Sequence, residues 1–374
     1  MMWWTTIRKI VDQVARFLVG GLFIFSGLIK LNDPVGTQIK MEEYFDVFAT
    51  DFGSFFHFFI PWALEIGLVM IVLEIVLGVA VLFFFRMNLT LWTLLLLLVF
   101  FTFLTGYSAI TNAVTDCGCF GDAIKLTPWQ SFYKDIILLV FVLHLFWYRK
   151  KYVPVLRTRE GWGVVLATTL IGFYAGIYAI RHLPFIDFRA YRVGANIPEQ
   201  MRPPEQPIIE YTFKRGDEEV RATSFLTEPG LTYVSSRVLN EDKTKPKITD
   251  YTVTSPEGED LTQATFVGLK FMVVMYDVAK ASTDHVDELR QLIQQLDGKV
   301  DCYILTSSDA ATVDAFRHEH QLAIPFYFTD ATVLKTIIRS NPGLALWKDG
   351  TVLGNWHHND TPSYAEVLEL LVAP

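Results

Sequence analysis

Five long apolar runs, at roughly 9–30, 59–85, 89–110, 132–148 and 162–181, crowd the first half of this 374-residue chain. Each is near the roughly 20 residues that a helix needs to cross the hydrocarbon of a bilayer. Residues 187–374 read instead as ordinary soluble sequence. A chain divided in this way is expected to form an all-α membrane part followed by a separate soluble body, and its length suffices for both. The composition agrees: 51% of residues are hydrophobic and 30 are Phe, as in a membrane protein rather than a soluble enzyme. The net charge of -8 resides in the acidic second half and argues against nucleic acid as a partner. The first run follows Arg8-Lys9 and has no small-residue cleavage site, so it reads as a retained anchor.

Basic residues set an orientation. Arg8, Lys9, Arg86, Arg149, Lys150, Lys151, Arg157 and Arg159 all fall at one set of alternating ends. The opposite loops carry Lys40 and Lys125 beside Glu42, Glu43, Asp46 and Asp51. The positive-inside rule makes the first set cytoplasmic. The N-terminus is then cytoplasmic. In a bacterial inner membrane the loop after the third run and everything beyond the fifth would face the periplasm, where disulfides persist.

Charged side chains inside apolar spans cost about 2.5–3.5 kcal/mol each at the centre on insertion scales, so they are expected to have partners. Counting depth along ideal helices predicts two polar clusters: Arg16 with Glu74, joined by His144, and Lys30 with Glu65. Glu65 and Glu74 are nine residues apart and should occupy opposite faces of one helix. These clusters could glue a bundle together or serve a proton path or a quinone contact.

The soluble half opens with a Pro-rich linker, Pro198 to Pro207, and alternating segments over 207–255 that predict one or two hairpins about Arg215-Gly216-Asp217. From 269 the order is strand (271–276), helix capped near Ser282, Thr283 or Asp284, strand (300–305), helix (309–320), strand (325–328) and a helix opened by Asp330. Two strands then flank Asp349-Gly350, a hairpin signal, before a last helix over 362–372. This is the order of a thioredoxin-like α/β fold with a mixed sheet. Such domains place Cys-x-x-Cys after the first central strand. Here that place holds Ala279-Lys-Ala-Ser282, so no dithiol exchange is open to this domain. Pro342 precedes a strand where such folds put a cis-proline beside bound peptide, which leaves it as a candidate partner-binding edge. Cys302, mid-strand among apolar neighbours, is expected to be an inert core residue.

The other two of the three cysteines are Cys117 and Cys119, separated by Gly118 in the polar loop before the fourth span. A disulfide across one residue needs its Cα atoms roughly 4.4–6.8 Å apart, a conformation that a residue without a Cβ at 118 tolerates. The ring would be strained and easily reduced, hence catalytic rather than structural. Idle thiols and a metal site are the alternatives. The loop offers Asp116 and Asp122 but no histidine, whereas a closed zinc site uses four Cys or His ligands. No Gly-rich nucleotide loop follows a strand, so no tightly bound cofactor is implied.

Several segments carry a resemblance to a known family. They are Phe25-Ser-Gly-Leu-Ile-Lys-Leu-Asn-Asp-Pro-Val-Gly36, Glu74-Ile-Val-Leu-Gly78, Cys117-Gly-Cys-Phe-Gly-Asp122 and Lys134-Asp135. Over roughly 10–150 the chain resembles the DoxX/MauE-like redox-associated membrane proteins, in the version found in Bacteroidota. Gly194-Ala-Asn-Ile-Pro198 and Ser340-Asn-Pro-Gly343 look like the extension common in that subgroup. The resemblance implies a four-helix core at 1–150, to which 151–186 adds a fifth transmembrane helix. A linker and β-hairpin segment (187–262) and the thioredoxin-like domain (263–374) would follow. By position Cys117 and Cys119 match the family's cysteine motif, and Glu74 its intramembrane acid. The expected activity is thiol–disulfide chemistry for a periplasmic protein client, with a membrane quinone as the candidate electron acceptor. The alternative is a non-catalytic membrane scaffold whose soluble domain holds a periplasmic partner.

Overall fold

The computed structural model describes residues 2–114, 118–216 and 218–372. The chain divides into two compact units, one ending at Arg189 and the other beginning at Ala190.

The first unit is helical. Helix α1 (Met2–Asn32) is followed by α2 (Pro34–Asp51), a 3-10 segment (Ser54–Trp62), α3 (Ala63–Leu82), α4 (Met87–Thr111), α5 (Pro128–Tyr148) and α6 (Thr158–Arg181). Among the described residues, five segments are long and apolar enough to span a membrane: Thr6–Asn32, Ser54–Leu82, Met87–Thr111, Pro128–Lys151 and Thr158–Arg181. They coincide with the five apolar runs. Helix α2 was not expected. Its start is set locally by Asp33, whose carboxylate accepts from the Gly36 N–H at 2.8 Å, and by Pro34 in the first turn. Thr127 and Gln130 form a capping box at the start of α5.

The contact between α1 and α3 positions the site. A Cβ on Gly20 would lie 2.8 Å from Leu82 side-chain atoms, and one on Gly78 only 2.8 Å from the Gly20 carbonyl. The backbones approach closely because neither residue carries a side chain, as small residues permit in membrane bundles. Around this crossing Ala15, Val19, Phe23, Leu77 and Val81 are buried together with Leu91, Leu94, Leu138 and Val142 of α4 and α5.

The second unit begins with a short helix, α7 (Ile197–Gln200), and a three-stranded antiparallel sheet of β1 (Ile209–Arg215), β2 (Glu218–Ala222) and β3 (Thr232–Val238), in the order β2-β1-β3. After α8 (Glu241–Thr244) come β4 (Leu269–Met275), α9 (Val286–Leu296), β5 (Asp301–Thr306), α10 (Ala310–Glu319), β6 (Phe326–Phe328), α11 (Ala331–Ile337), β7 (Gly343–Lys348), β8 (Thr351–His357) and α12 (Tyr364–Val372). The sheet order is β6-β5-β4-β7-β8, with β4, β5 and β6 parallel and β7 and β8 antiparallel additions. A parallel βαβ unit extended by an antiparallel hairpin and a final helix is the thioredoxin-like topology. Strand β4 is buried on both faces, which explains its unbroken apolar reading. Phe271, Val273 and Met275 pack on Leu289, Leu292, Ile293 and Leu296 of α9.

Two local details differ from expectation. The residue that precedes α9 is His285, at φ +64 with no side-chain cap bond, and the Ser282 hydroxyl accepts instead from the Asp284 N–H at 3.2 Å. Cys302 lies at the margin of the core, half-buried, rather than inside it.

Candidate functional site

Residues 118–121, ahead of α5, pack back against the helical unit. Phe120 is buried, its ring centroid 5.6 Å from that of Phe25 on α1. Gly118 and Gly121 flank the turn at φ +64 and +50, in the left-handed region that glycine occupies without strain, and the Gly121 N–H donates to the Gly118 carbonyl at 3.2 Å. Cys119 sits between the two glycines, half-buried.

Two polar groups meet this turn. On one side the Ser26 hydroxyl of α1 donates to the Cys119 carbonyl at 2.9 Å and stands 3.2 Å from Glu74 Oε2. Lys30 Nζ, one helical turn on, lies 2.6 Å from Glu74 Oε1 and 5.0 Å from the Phe101 ring centroid. Glu74 is 2% exposed. Because a hydroxyl has a single proton, Ser26 divides it between the turn and the carboxylate.

On the other side Lys134 of α5 ion-pairs with Asp135 Oδ1 at 3.0 Å and lies 5.3 Å from the Phe120 ring centroid. Asp135 is itself 2% exposed, and its Oδ2 accepts from Thr105 of α4 at 3.0 Å. The Lys134 ammonium also lies near Cys119.

Of the predicted residues, Cys117 lies outside the described residues. The predicted polar clusters are corrected. Glu74 pairs with Lys30, not with Arg16, and the face opposite leaves Glu65 exposed. Arg16 instead donates from Nε to the Leu82 carbonyl at 2.5 Å and from Nη1 to Gln13 at 3.1 Å, and its guanidinium stacks over Phe84 at 4.5 Å. His144 Nε2 is 2.8 Å from Asp12 Oδ1, which also accepts from the Tyr152 hydroxyl at 3.0 Å. The reason is register. The glycine crossing sets Gly20 against Gly78, and this places Arg16 beside the C-terminal end of α3 while Lys30 reaches back along α3 to Glu74.

Ser26, Asp12 and Thr105 were not anticipated. A signal existed for the first two: Ser26 precedes Lys30 by one turn, and Asp12 is four residues from both Arg8 and Arg16 in an apolar helix. No group of three or more potential metal-ligating side chains occurs among the described residues.

In the second unit the Asn341–Pro342 bond is cis. Pro342 is buried, and the Asn341 carbonyl accepts from the Ser282 N–H at 2.8 Å, across from the position where a dithiol would stand. Ser340, also buried, bonds the Pro342 carbonyl and His358 Nδ1. The Cys302 thiol is pushed up to about 12 by burial, with Asp297 and Asp301 adding to the effect, so it stays protonated at neutral pH.

Residues 8–148 match the family model of the methylamine utilisation protein MauE. A protein named TlpB from Flavobacterium psychrophilum is 30% identical over 158 residues, which are 41% of this chain and 40% of that protein. The chain thus spans about two fifths of the length of the curated relative it matches. A solved thiol peroxidase from Chromobacterium violaceum matches 43% of this chain and 95% of its own, at 15% identity and a TM-score of 0.25. At that score the strand order, not the neighbour, carries the fold assignment. The membrane half of this chain is MauE-like, and its soluble half is a thioredoxin-like domain with Ala279-Lys-Ala-Ser282 in the place of a redox dithiol.

Proposed function

We propose that this protein carries out thiol–disulfide exchange for a periplasmic protein client, through Cys117 and Cys119, from a bacterial inner membrane. The observation that carries the reading is Cys119 itself: a half-buried sulfur on a turn fixed by Phe120 and Ser26, with Lys134 alongside. A structural bridge across one residue would stabilise little, since loop-closure entropy is small for so short a ring. The basic ends at Arg8-Lys9 and Arg149-Lys150-Lys151 support a cytoplasmic N-terminus, and with it a periplasmic turn and soluble half.

In this reading a client thiolate attacks one sulfur of the oxidised pair and the other leaves. A second client thiolate then resolves the mixed disulfide and leaves the pair reduced. Re-oxidation removes two electrons and two protons, and a membrane quinone is the acceptor class we assign. The Lys30–Glu74 pair holds the wall beneath the turn in place.

The test is acid-quenched thiol trapping of the full chain in cells, read as a gel shift. Cys117 and Cys119 should cycle between oxidised and reduced forms, and Cys→Ser at either should abolish client oxidation or trap a mixed disulfide. A double serine variant with full function would instead support a scaffold. One observation favours that second reading: the position of the missing dithiol is closed by the Ser282–Asn341 hydrogen bond, as in a domain kept for binding.

A further inference from the structure

We propose that the basic end of the helical unit holds the phosphate of an anionic phospholipid, gripped by Arg8 of α1 and Lys151 just past α5, beside the ring of Tyr148.

Positive charge gathers there on a backbone that is fixed in place. A 3-10 turn, Arg149–Lys151, follows α5 directly. The Tyr152 ring after it stacks on Phe84 at 4.7 Å, its hydroxyl donates to Asp12, and the Val155 N–H donates to the Phe83 carbonyl at 3.0 Å. Arg149 is engaged within the fold, donating to Asn88 Oδ1 at 3.0 Å and to the Phe146 carbonyl at 2.8 Å. Lys151 is not: its Nζ lies 5.1 Å from the Tyr148 ring centroid, and the Arg8 guanidinium lies 5.2 Å from the same ring. Two cations thus approach one aromatic ring.

The acids at this end do not match them. Among the described residues they are Asp12 and Glu160. Asp12 is shared by His144 at 2.8 Å and Tyr152 at 3.0 Å, which leaves Arg8 a long ion pair, 3.8 Å from an Nε that makes no hydrogen bond. Glu160 accepts from the Arg157 N–H at the start of α6. A phosphate supplies what is missing, since its oxygens carry the opposite charge and accept from guanidinium and ammonium alike.

The surroundings select a lipid as the source of that phosphate. Trp147, Val153 and Val155 are strongly exposed around the turn, where the span Pro128–Lys151 ends. Tryptophan at this level sits among headgroups, and Lys/Arg clusters flanking a span attract anionic lipids. An acidic soluble peptide would have to lie across this apolar rim.

The test adds phosphatidylglycerol or phosphatidylcholine to the full chain in neutral detergent and measures retained lipid by native mass spectrometry. Phosphatidylglycerol should bind about fivefold more tightly or better, the advantage expected from one cation at the headgroup. Arg8→Gln/Lys151→Gln should abolish the preference. Arg157→Gln/Arg159→Gln, which removes equal charge from the same end, should keep it. Because Arg8 also touches Asp12, Lys151→Gln alone is a second check. It breaks no ion pair and should weaken phosphatidylglycerol binding by about threefold or more. No preference in the wild type, equal loss in the two double variants, or binding unchanged by Lys151→Gln overturns the proposal. Displacement of the lipid by an equal concentration of inorganic phosphate or of a polyglutamate peptide overturns it too, because the site would then take a free anion or an acidic protein.

Discussion

Lys30 and Glu74 meet at 2.6 Å inside the helical unit, the carboxylate being almost wholly enclosed. Removing one partner of an enclosed ion pair leaves an uncompensated charge, typically at a cost of about 3–5 kcal/mol. Lys30→Met should therefore lower thermal stability in detergent strongly. The double variant Lys30→Met/Glu74→Leu should recover much of the loss. A double variant no better than the single would show that the pair is not the source of the effect.

The glycine crossing yields a second expectation. Gly78→Ala puts a methyl group 2.8 Å from the Gly20 carbonyl, a backbone atom that cannot swing aside. Overpacking of this kind costs about 1–3 kcal/mol. It should also part α1 from α3 and weaken the Ser26 contact to the turn. Melting curves, with Cys119 labelling rates rising in parallel, check both effects. Gly21→Ala, which meets nothing within 4 Å, is the control and should be silent.

Cys302 and Cys119 should separate chemically. With its thiol near 12, Cys302 is almost entirely protonated at pH 8. Mass spectrometry after brief iodoacetamide treatment of the folded protein, mildly reduced beforehand, at that pH should find Cys302 unmodified and Cys119 modified. Modification of both at equal rates would contradict the burial of Cys302.

His358 sets a pH dependence. Burial holds its pKa below the ordinary 6.5, so the folded form prefers the neutral ring. The stabilisation is fully present above the unfolded value and is lost as pH falls through the lower folded value. The soluble half of the full chain should thus melt at lower temperature as pH drops below about 6.5, and His358→Gln should flatten that part of the profile.

Capping at α11 is a simpler matter. Asp330 accepts from the Thr332 and Val333 N–H groups at 2.7 and 3.4 Å. Asp330→Ala should cost about 1 kcal/mol, the usual loss for an N-cap carboxylate, measured as a shift in denaturation midpoint.

Much of the fold was legible because its signals are local. Apolar run length predicted the five spans, Asp349-Gly350 the final hairpin, and Asp330 the start of α11. The order of strands and helices after 269 predicted the sheet. The pairing of Glu74 was not legible, because equal depth in two apolar runs says nothing of how far one helix slides along the other. That offset is decided by where Gly20 and Gly78 let backbones touch. The course of the turn was hidden for another reason. The polar residues about Cys119 read as a surface loop, whereas the single ring of Phe120, finding Phe25, draws it inward.

That inserted ring limits how far the neighbouring sulfur can travel. Consecutive Cα atoms are only about 3.8 Å apart, so Cys119 cannot swing out to search while Phe120 stays seated. In the exchange proposed above, a client would have to bring its own thiol in to Cys119 while that ring stays seated.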